Sequence, residues 1–106
     1  MKFTKVKFRS PIKKEDKSTG IKEIEGYRVE GDAVPDWLDL VVHKPIGWEK
    51  DWRVSDYKTG QGLPPRVPQK TRLDAVYATV KRLTESEINR EKYEKALSRT
   101  KILNEE

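Results

Sequence analysis

The segment Trp52–Gly60, WRVSDYKTG, marks the point where one kind of local structure gives way to another. Trp52, Val54 and Asp56 alternate with Arg53, Ser55 and Tyr57, a period of two that reads as a strand. Thr59-Gly60 ends it, since glycine reaches backbone conformations that a strand does not use. The following TGQGLPPRVPQK (59–70) holds two glycines and three prolines and predicts an extended connection without regular structure. Past it the apolar spacing becomes helical. Alternation also puts Asp56 and Lys58 on one face of the strand. They are expected to be surface groups on a strand running into a turn.

Upstream, every apolar segment has strand character. In KFTKVKFRSPI, Val6, Phe8 and Ile12 fall on one face and Lys5, Lys7 and Arg9 on the other; Pro11 suits a strand end or an edge. KKEDKSTG is a polar turn. In IKEIEGYRVEG the apolar parity changes across Gly26, from Ile24 to Tyr27 and Val29, which predicts a bulge there. WLDLVVHK is the most hydrophobic strand and is read as central, with Leu38, Leu40 and Val42 on one face and Trp37, Asp39, Val41 and His43 on the other. PIGWEKD turns the chain into the fourth strand, and His43 is read as a polar strand-end residue.

Downstream, Thr71 is placed as a helix N-cap with Asp74 at the third helical position. Leu73, Val76, Tyr77, Val80 and Leu83 recur at helical spacing. Thr84–Glu87, TESE, is a second capping box at which the helix restarts or bends. The segment after it is strongly helical in propensity, with a thin apolar face of Ile88, Tyr93 and Leu97. The order is ββββαα: an α+β fold with a four-stranded, mainly antiparallel sheet followed by one or two C-terminal helices. The expected division is an α+β domain over 1–84, with a basic N-terminal strand at 1–12, and a charged C-terminal helix over 85–106.

The 106 residues suit one small domain, and with 34% hydrophobic against 39% charged residues the core must be small. Phe3, Phe8, Tyr27, Trp37, Trp52 and Tyr77 are expected to carry much of it. The absence of cysteine excludes disulfides and thiolate zinc sites, and a single histidine excludes a His-rich metal site. With no apolar run of membrane-spanning length and no leader after Met1, the expectation is a soluble cytoplasmic protein with no membrane partner. The net charge of +5 is uneven. Residues 1–20 hold Lys2, Lys5, Lys7, Arg9, Lys13, Lys14 and Lys17 against Glu15 and Asp16, which leaves the rest of the chain balanced. A basic segment on a neutral body suggests a polyanion contact, or an edge strand protected by lysines.

Three resemblances bear on function. LDLVV…WRVSDYKTG resembles the core of the RecB-like branch of the PD-(D/E)xK nucleases, where an aspartate begins one strand and D-x-K ends the next. The resemblance implies Asp39 and Asp56 as Mg²⁺ ligands, with Lys58 orienting the attacking water or stabilising charge on the phosphate. Leu73 departs from the glutamine that this family often places four residues before its tyrosine, here Tyr77. Residues 43–83 resemble small proteins of phages and other mobile elements in Trp52, Val54, Ser55, Thr59, Gly60, Thr71, Arg72, Asp74 and Ala75. Anti-restriction and anti-CRISPR proteins of this kind act by occupying a host enzyme. The Thr71-Arg72-x-Asp74-Ala75 helix start, after strands, also resembles the AP2-like DNA-binding domain of tyrosine integrases, whose sheet enters the major groove. That implies phosphate contacts from Lys5, Lys7, Arg9, Arg53 and Lys58.

The expected function is that of a small non-enzymatic binding protein of phage or mobile-element type, acting on nucleic acid or on a host nucleic-acid-processing protein. Lys5, Lys7, Arg9, Trp37, Arg53, Lys58 and Arg66 are its candidate contacts. No catalytic residue, metal or small-molecule cofactor is expected. The alternatives are a direct DNA- or RNA-binding module, and a Mg²⁺-dependent nuclease using Asp39, Asp56 and Lys58.

Overall fold

The computed structural model describes residues 1–13, 16, 18–44, 51–64 and 69–104. Lys14, Glu15 and Lys17 of the KKEDKSTG turn, most of PIGWEKD, most of PPRVP and the contact residue Arg66 lie outside them, as does the side chain of Ile12. The elements are β1 (Lys2–Lys13), β2 (Thr19–Glu30), β3 (Leu40–His43), β4 (Arg53–Asp56), α1 (Arg72–Thr84) and α2 (Glu87–Arg99). The fold is α+β, with a four-stranded antiparallel sheet in the order β1-β2-β3-β4 and two C-terminal helices. Among the described residues no helix is long and apolar enough to cross a membrane.

β1 and β2 pair without interruption from Lys2↔Glu30 to Lys13↔Thr19, with Val6 opposite Gly26. There is thus no bulge at Gly26, and that expectation is corrected. The apolar parity changes because the covering changes along one long strand. Ile24 and Gly26 lie on the sheet's inner face with Phe8, Val41 and His43. Tyr27 and Val29 lie on the other face, Val29 in the buried cluster and Tyr27 packed against it. A Cβ on Gly26 would come within 2.9 Å of Val41 Cγ2 and of the Val42 carbonyl oxygen. Without one, Phe8 on β1 reaches past β2 to contact the His43 ring at 5.1 Å. The sheet curls across this gap.

The curl brings the chain beyond β4 against β1. Ser10 Oγ donates to the Gly60 carbonyl at 2.9 Å. Asn104 accepts from the Arg9 amide and donates to the carbonyls of Arg9 and Tyr57. The outer edge of β4 is covered by the connection that follows it, through Asp56 N to Gln61 O, Leu63 N to Val54 O and Trp52 N to Gln69 O. The extended segment read as irregular therefore seals a sheet edge.

The helices cover the half of the sheet built from β3 and β4. Thr71 caps α1, accepting from the Asp74 amide at 3.1 Å. α1 buries Ala75, Val76, Thr79 and Leu83, while Leu73 and Tyr77 remain 43% and 48% exposed. Tyr77 is therefore not a core residue. The packed stripe runs through small side chains because α1 lies directly on β3 and β4, where Ala75 and Thr79 permit close approach. The helix restarts as expected, but Ser86 is the cap, accepting from the Ile88 amide, while Thr84 Oγ1 donates to the Val80 carbonyl within α1. Tyr93 of α2 is in the same buried cluster as Val29, Leu40, Val42, Val54, Leu63, Val76 and Leu83, so α2 shares the core of the sheet. Burial of each Val or Leu there is worth about 1.5–3 kcal/mol. β3 is buried on both faces, which makes WLDLVVHK central in burial, although it begins only at Leu40.

Candidate functional site

The SDYKTG segment is a structural corner. Asp56 is only 1% exposed, which corrects its expected surface placement. Its Oδ2 accepts from the Thr59 amide at 3.0 Å and the Thr59 hydroxyl at 2.8 Å, closing a turn over residues 57–59. Its Oδ1 accepts from the Tyr93 hydroxyl at 2.8 Å. Burial, then the charge and acceptor of Asp56, push the Tyr93 phenol far above its ordinary range. Gly60 ends the corner at φ 71°, a left-handed conformation, with a position for Cβ only 2.8 Å from Ser10 Cα.

Asp39 and Asp56 do not converge. Asp56 faces the helices, whereas Asp39 is held by Arg28 through bonds of 3.0 and 2.8 Å. Arg28 in turn stacks 4.2 Å from the centroid of the Tyr57 ring. Lys58 lies in the turn, is exposed, and borders a cleft with Arg28, Trp37 and Asp39. No group of three or more His, Cys, Asp or Glu side chains that could hold a metal is found among the described residues.

A different pair is closer to nucleophile geometry. His43 Nε2 lies 2.7 Å from Ser55 Oγ, and Nδ1 lies 3.2 Å from the Lys44 carbonyl oxygen. With Nδ1–H donating to that carbonyl, Nε2 accepts the serine proton, the arrangement by which a base activates a hydroxyl. Both residues are buried, beside the Phe8 ring. Neither lines the cleft between the helices or the clefts beside Arg9 and beside Asp39. Burial is the main cause holding His43 below its ordinary range; the Lys44 carbonyl opposes it and the Arg53 charge adds to it. The pair satisfies polar groups inside a curled sheet.

The basic contacts read from the sequence occupy several surfaces. Lys5, Lys7 and Arg9 project from the half of the sheet that the helices leave open. Lys5 lies 3.7 Å from Glu25 and Lys7 4.0 Å from Glu23, so two carboxylates alternate with the three cations. Arg53 is on the opposite, inner face beside His43, and among the described residues its Nε is buried without a hydrogen-bond partner. Trp37 has a packing role after all: it meets Tyr93 edge-on at 5.6 Å and lies under the Arg90 guanidinium at 4.7 Å. One cation site was not anticipated. The Arg72 guanidinium sits 4.9, 4.4 and 5.7 Å from the ring centroids of Phe3, Tyr27 and Trp52. Strand register places the three rings on one face of the sheet, from β1, β2 and the residue that leads into β4, a pairing that no sequence period marks.

A cleft between the helices also escaped the sequence reading. It encloses about 500 Å³ between α1, α2 and the Gln61–Pro64 connection. Leu63, Leu83, Ala96 and Leu97 supply apolar wall, and Arg82 and Lys92 are its charged residues. The sequence signal was the sorting of charge on α2, where Lys92, Lys95 and Arg99 follow one stripe and Glu87, Glu91 and Glu94 another. No family model, curated protein or solved structure matches the chain.

Proposed function

We propose that this protein is a non-enzymatic binding module that engages a nucleic-acid-processing protein. One observation carries the reading: Asp56, the residue on which a metal-dependent reaction would depend, has both oxygens committed to Thr59 and Tyr93 inside the core. Asp39 is likewise committed to Arg28. A protein partner is favoured over the phosphate backbone because Glu23 and Glu25 interrupt the basic strip of Lys5, Lys7 and Arg9. A mosaic of both signs recognises a patterned protein surface better than a uniform polyanion. The nucleic-acid enzyme as partner, and with it an anti-restriction or anti-CRISPR type of action, rests on the resemblance of residues 43–83 to small phage and mobile-element proteins.

The test is to titrate the protein into cleavage reactions of restriction and RNA-guided nucleases, with labelled duplex DNA and Mg²⁺ alone alongside. Stoichiometric inhibition, with neither a DNA mobility shift nor intrinsic cleavage, is expected. A salt-sensitive shift lost on replacing Lys5, Lys7 and Arg9 with alanine would make the protein a DNA-binding module instead. Intrinsic cleavage lost in Asp56→Asn would make it a nuclease. Lack of inhibition across the panel would remove the defence nucleases as partners.

A further inference from the structure

We infer that the cleft between α1, α2 and the Gln61–Pro64 connection is a peptide-docking site, and that its occupant is an acidic segment bearing apolar anchor side chains. This rests on the protein-binding reading above and assigns it a place and a chemistry. The volume, about 500 Å³, lies within the range of sites that bind ligands specifically. The buried Leu63 and Leu83 form its floor, and the more exposed Ala96 and Leu97 form an apolar wall suited to aliphatic side chains.

Charge selects the sign of the occupant. Among the described residues Arg82 and Lys92 are the charged side chains that line the cleft, and no acidic one does. Lys92 makes no ion pair among the described residues, and Arg82 is held only by an exposed bridge of 3.2 Å to Glu85, which an incoming carboxylate can exchange at little cost. The stripe Ile88, Lys92, Lys95 and Arg99 repeats at one-turn spacing and extends the basic rim beside the cleft. Ile88, 62% exposed, adds an apolar contact to it. The acidic residues of α2 are on another face, at Glu87, Glu91 and Glu94. An amphipathic segment laid in such a groove meets its anchors at helical or extended spacing and its carboxylates at the rim.

The same geometry disfavours nucleic acid here. Single strands are held by aromatic faces on which bases stack. Tyr93, the one aromatic residue lining it among the described residues, is 6% exposed, with Trp37 against its ring. Phosphates would gain the lysines but leave the aliphatic walls uncovered.

The experiment uses the whole chain and a short fluorescein-labelled peptide in which paired leucines alternate with paired glutamates. Controls are the same peptide with lysine for glutamate, a leucine-free glutamate peptide and a single-stranded DNA oligomer. Binding is read by anisotropy and by backbone amide NMR shifts. Saturable binding of the leucine–glutamate peptide is expected, with shifts concentrated at Gln61–Leu63, Arg82–Leu83 and Asn89–Leu97. The double variant Arg82→Glu/Lys92→Glu should weaken it about tenfold or more. Ala96→Trp, at an exposed helix position, should block it while leaving the remaining spectrum folded. Shifts outside the cleft, or unchanged affinity in both variants, overturn the site and leave the protein-binding reading standing. Binding of the DNA with no binding of any peptide overturns both.

Discussion

The Tyr93 hydroxyl donates a 2.8 Å hydrogen bond to Asp56 Oδ1 and so ties the middle of α2 to the last residue of β4. Both groups are buried, and the other Asp56 oxygen is committed to Thr59. Tyr93→Phe keeps the ring packing but removes a bond to a buried carboxylate, a loss of about 1.5–3 kcal/mol. Asp56→Ala removes the acceptor of three bonds at once and is expected to cost more. Urea unfolding of the two variants tests the order; equal losses would mean that the two Thr59 bonds add nothing to the corner, and no loss in either would mean that Asp56 is not the anchor of α2.

Gly60 and Gly62 lie two residues apart and should respond very unequally to the same substitution. At Gly60 an alanine Cβ would meet the Arg9 carbonyl and Ser10 at a left-handed φ, whereas at Gly62 it meets nothing within 4 Å. Gly60→Ala is expected to destabilise by about 3 kcal/mol or more, and Gly62→Ala by less than about 1 kcal/mol. Comparable denaturation midpoints would contradict the closure of the corner on β1.

Stability should fall on mild acidification because of His43. Its ionisation is held below the ordinary value of 6.5 by burial, so the unfolded chain binds a proton that the folded chain refuses. The contribution is complete above pH 6.5 and declines below it as pH falls toward the folded value. The slope is at most about 1.4 kcal/mol per pH unit for one group. The His43 ring NMR titration and chemical denaturation across this window check it. A ring titrating at or above the ordinary value would refute the neutral buried state.

The ring cluster around Arg72 should stabilise the start of α1. A guanidinium there opposes the helix dipole, so its contacts with Phe3, Tyr27 and Trp52 have to outweigh that cost. Arg72→Ala is expected to lose about 1 kcal/mol and Arg72→Lys part of it, since a half-exposed cation over rings is worth about that much. Thermal unfolding of the series reads the difference; a more stable alanine variant would show that the dipole term wins.

Glu23 and Glu25 should act as a brake on nucleic-acid affinity. Replacing both with glutamine removes the two carboxylates beside Lys5 and Lys7. A salt-sensitive mobility shift on duplex DNA is expected to appear or strengthen. The exposed pairs themselves contribute little, so stability should change by less than about 1 kcal/mol. No gain in DNA affinity would show that this surface is not a masked phosphate site.

Local patterns in the sequence determined the elements of this fold. Period-two alternation gave four strands, helical spacing with Thr71 as cap gave α1, and a cap-type residue near Thr84–Glu87 gave the break before α2. These depend on neighbours a few residues apart, which is all that a linear pattern records. Which face of each element faces inward required the tertiary structure. Alternation at Asp56 is the same whether the carboxylate points to water or to Tyr93, thirty-seven residues away. The parity change at Gly26 looks like a bulge until the curl of the sheet shows two different coverings. Tyr77 and Leu73 keep helical spacing, yet α1 packs through Ala75 and Thr79. The Arg72 ring cluster, the His43–Ser55 pair and the cleft of Arg82 and Lys92 all join residues far apart in the chain. Their meeting is decided by how the strands pair, how the sheet curls and where the helices lie, and no local spacing encodes that.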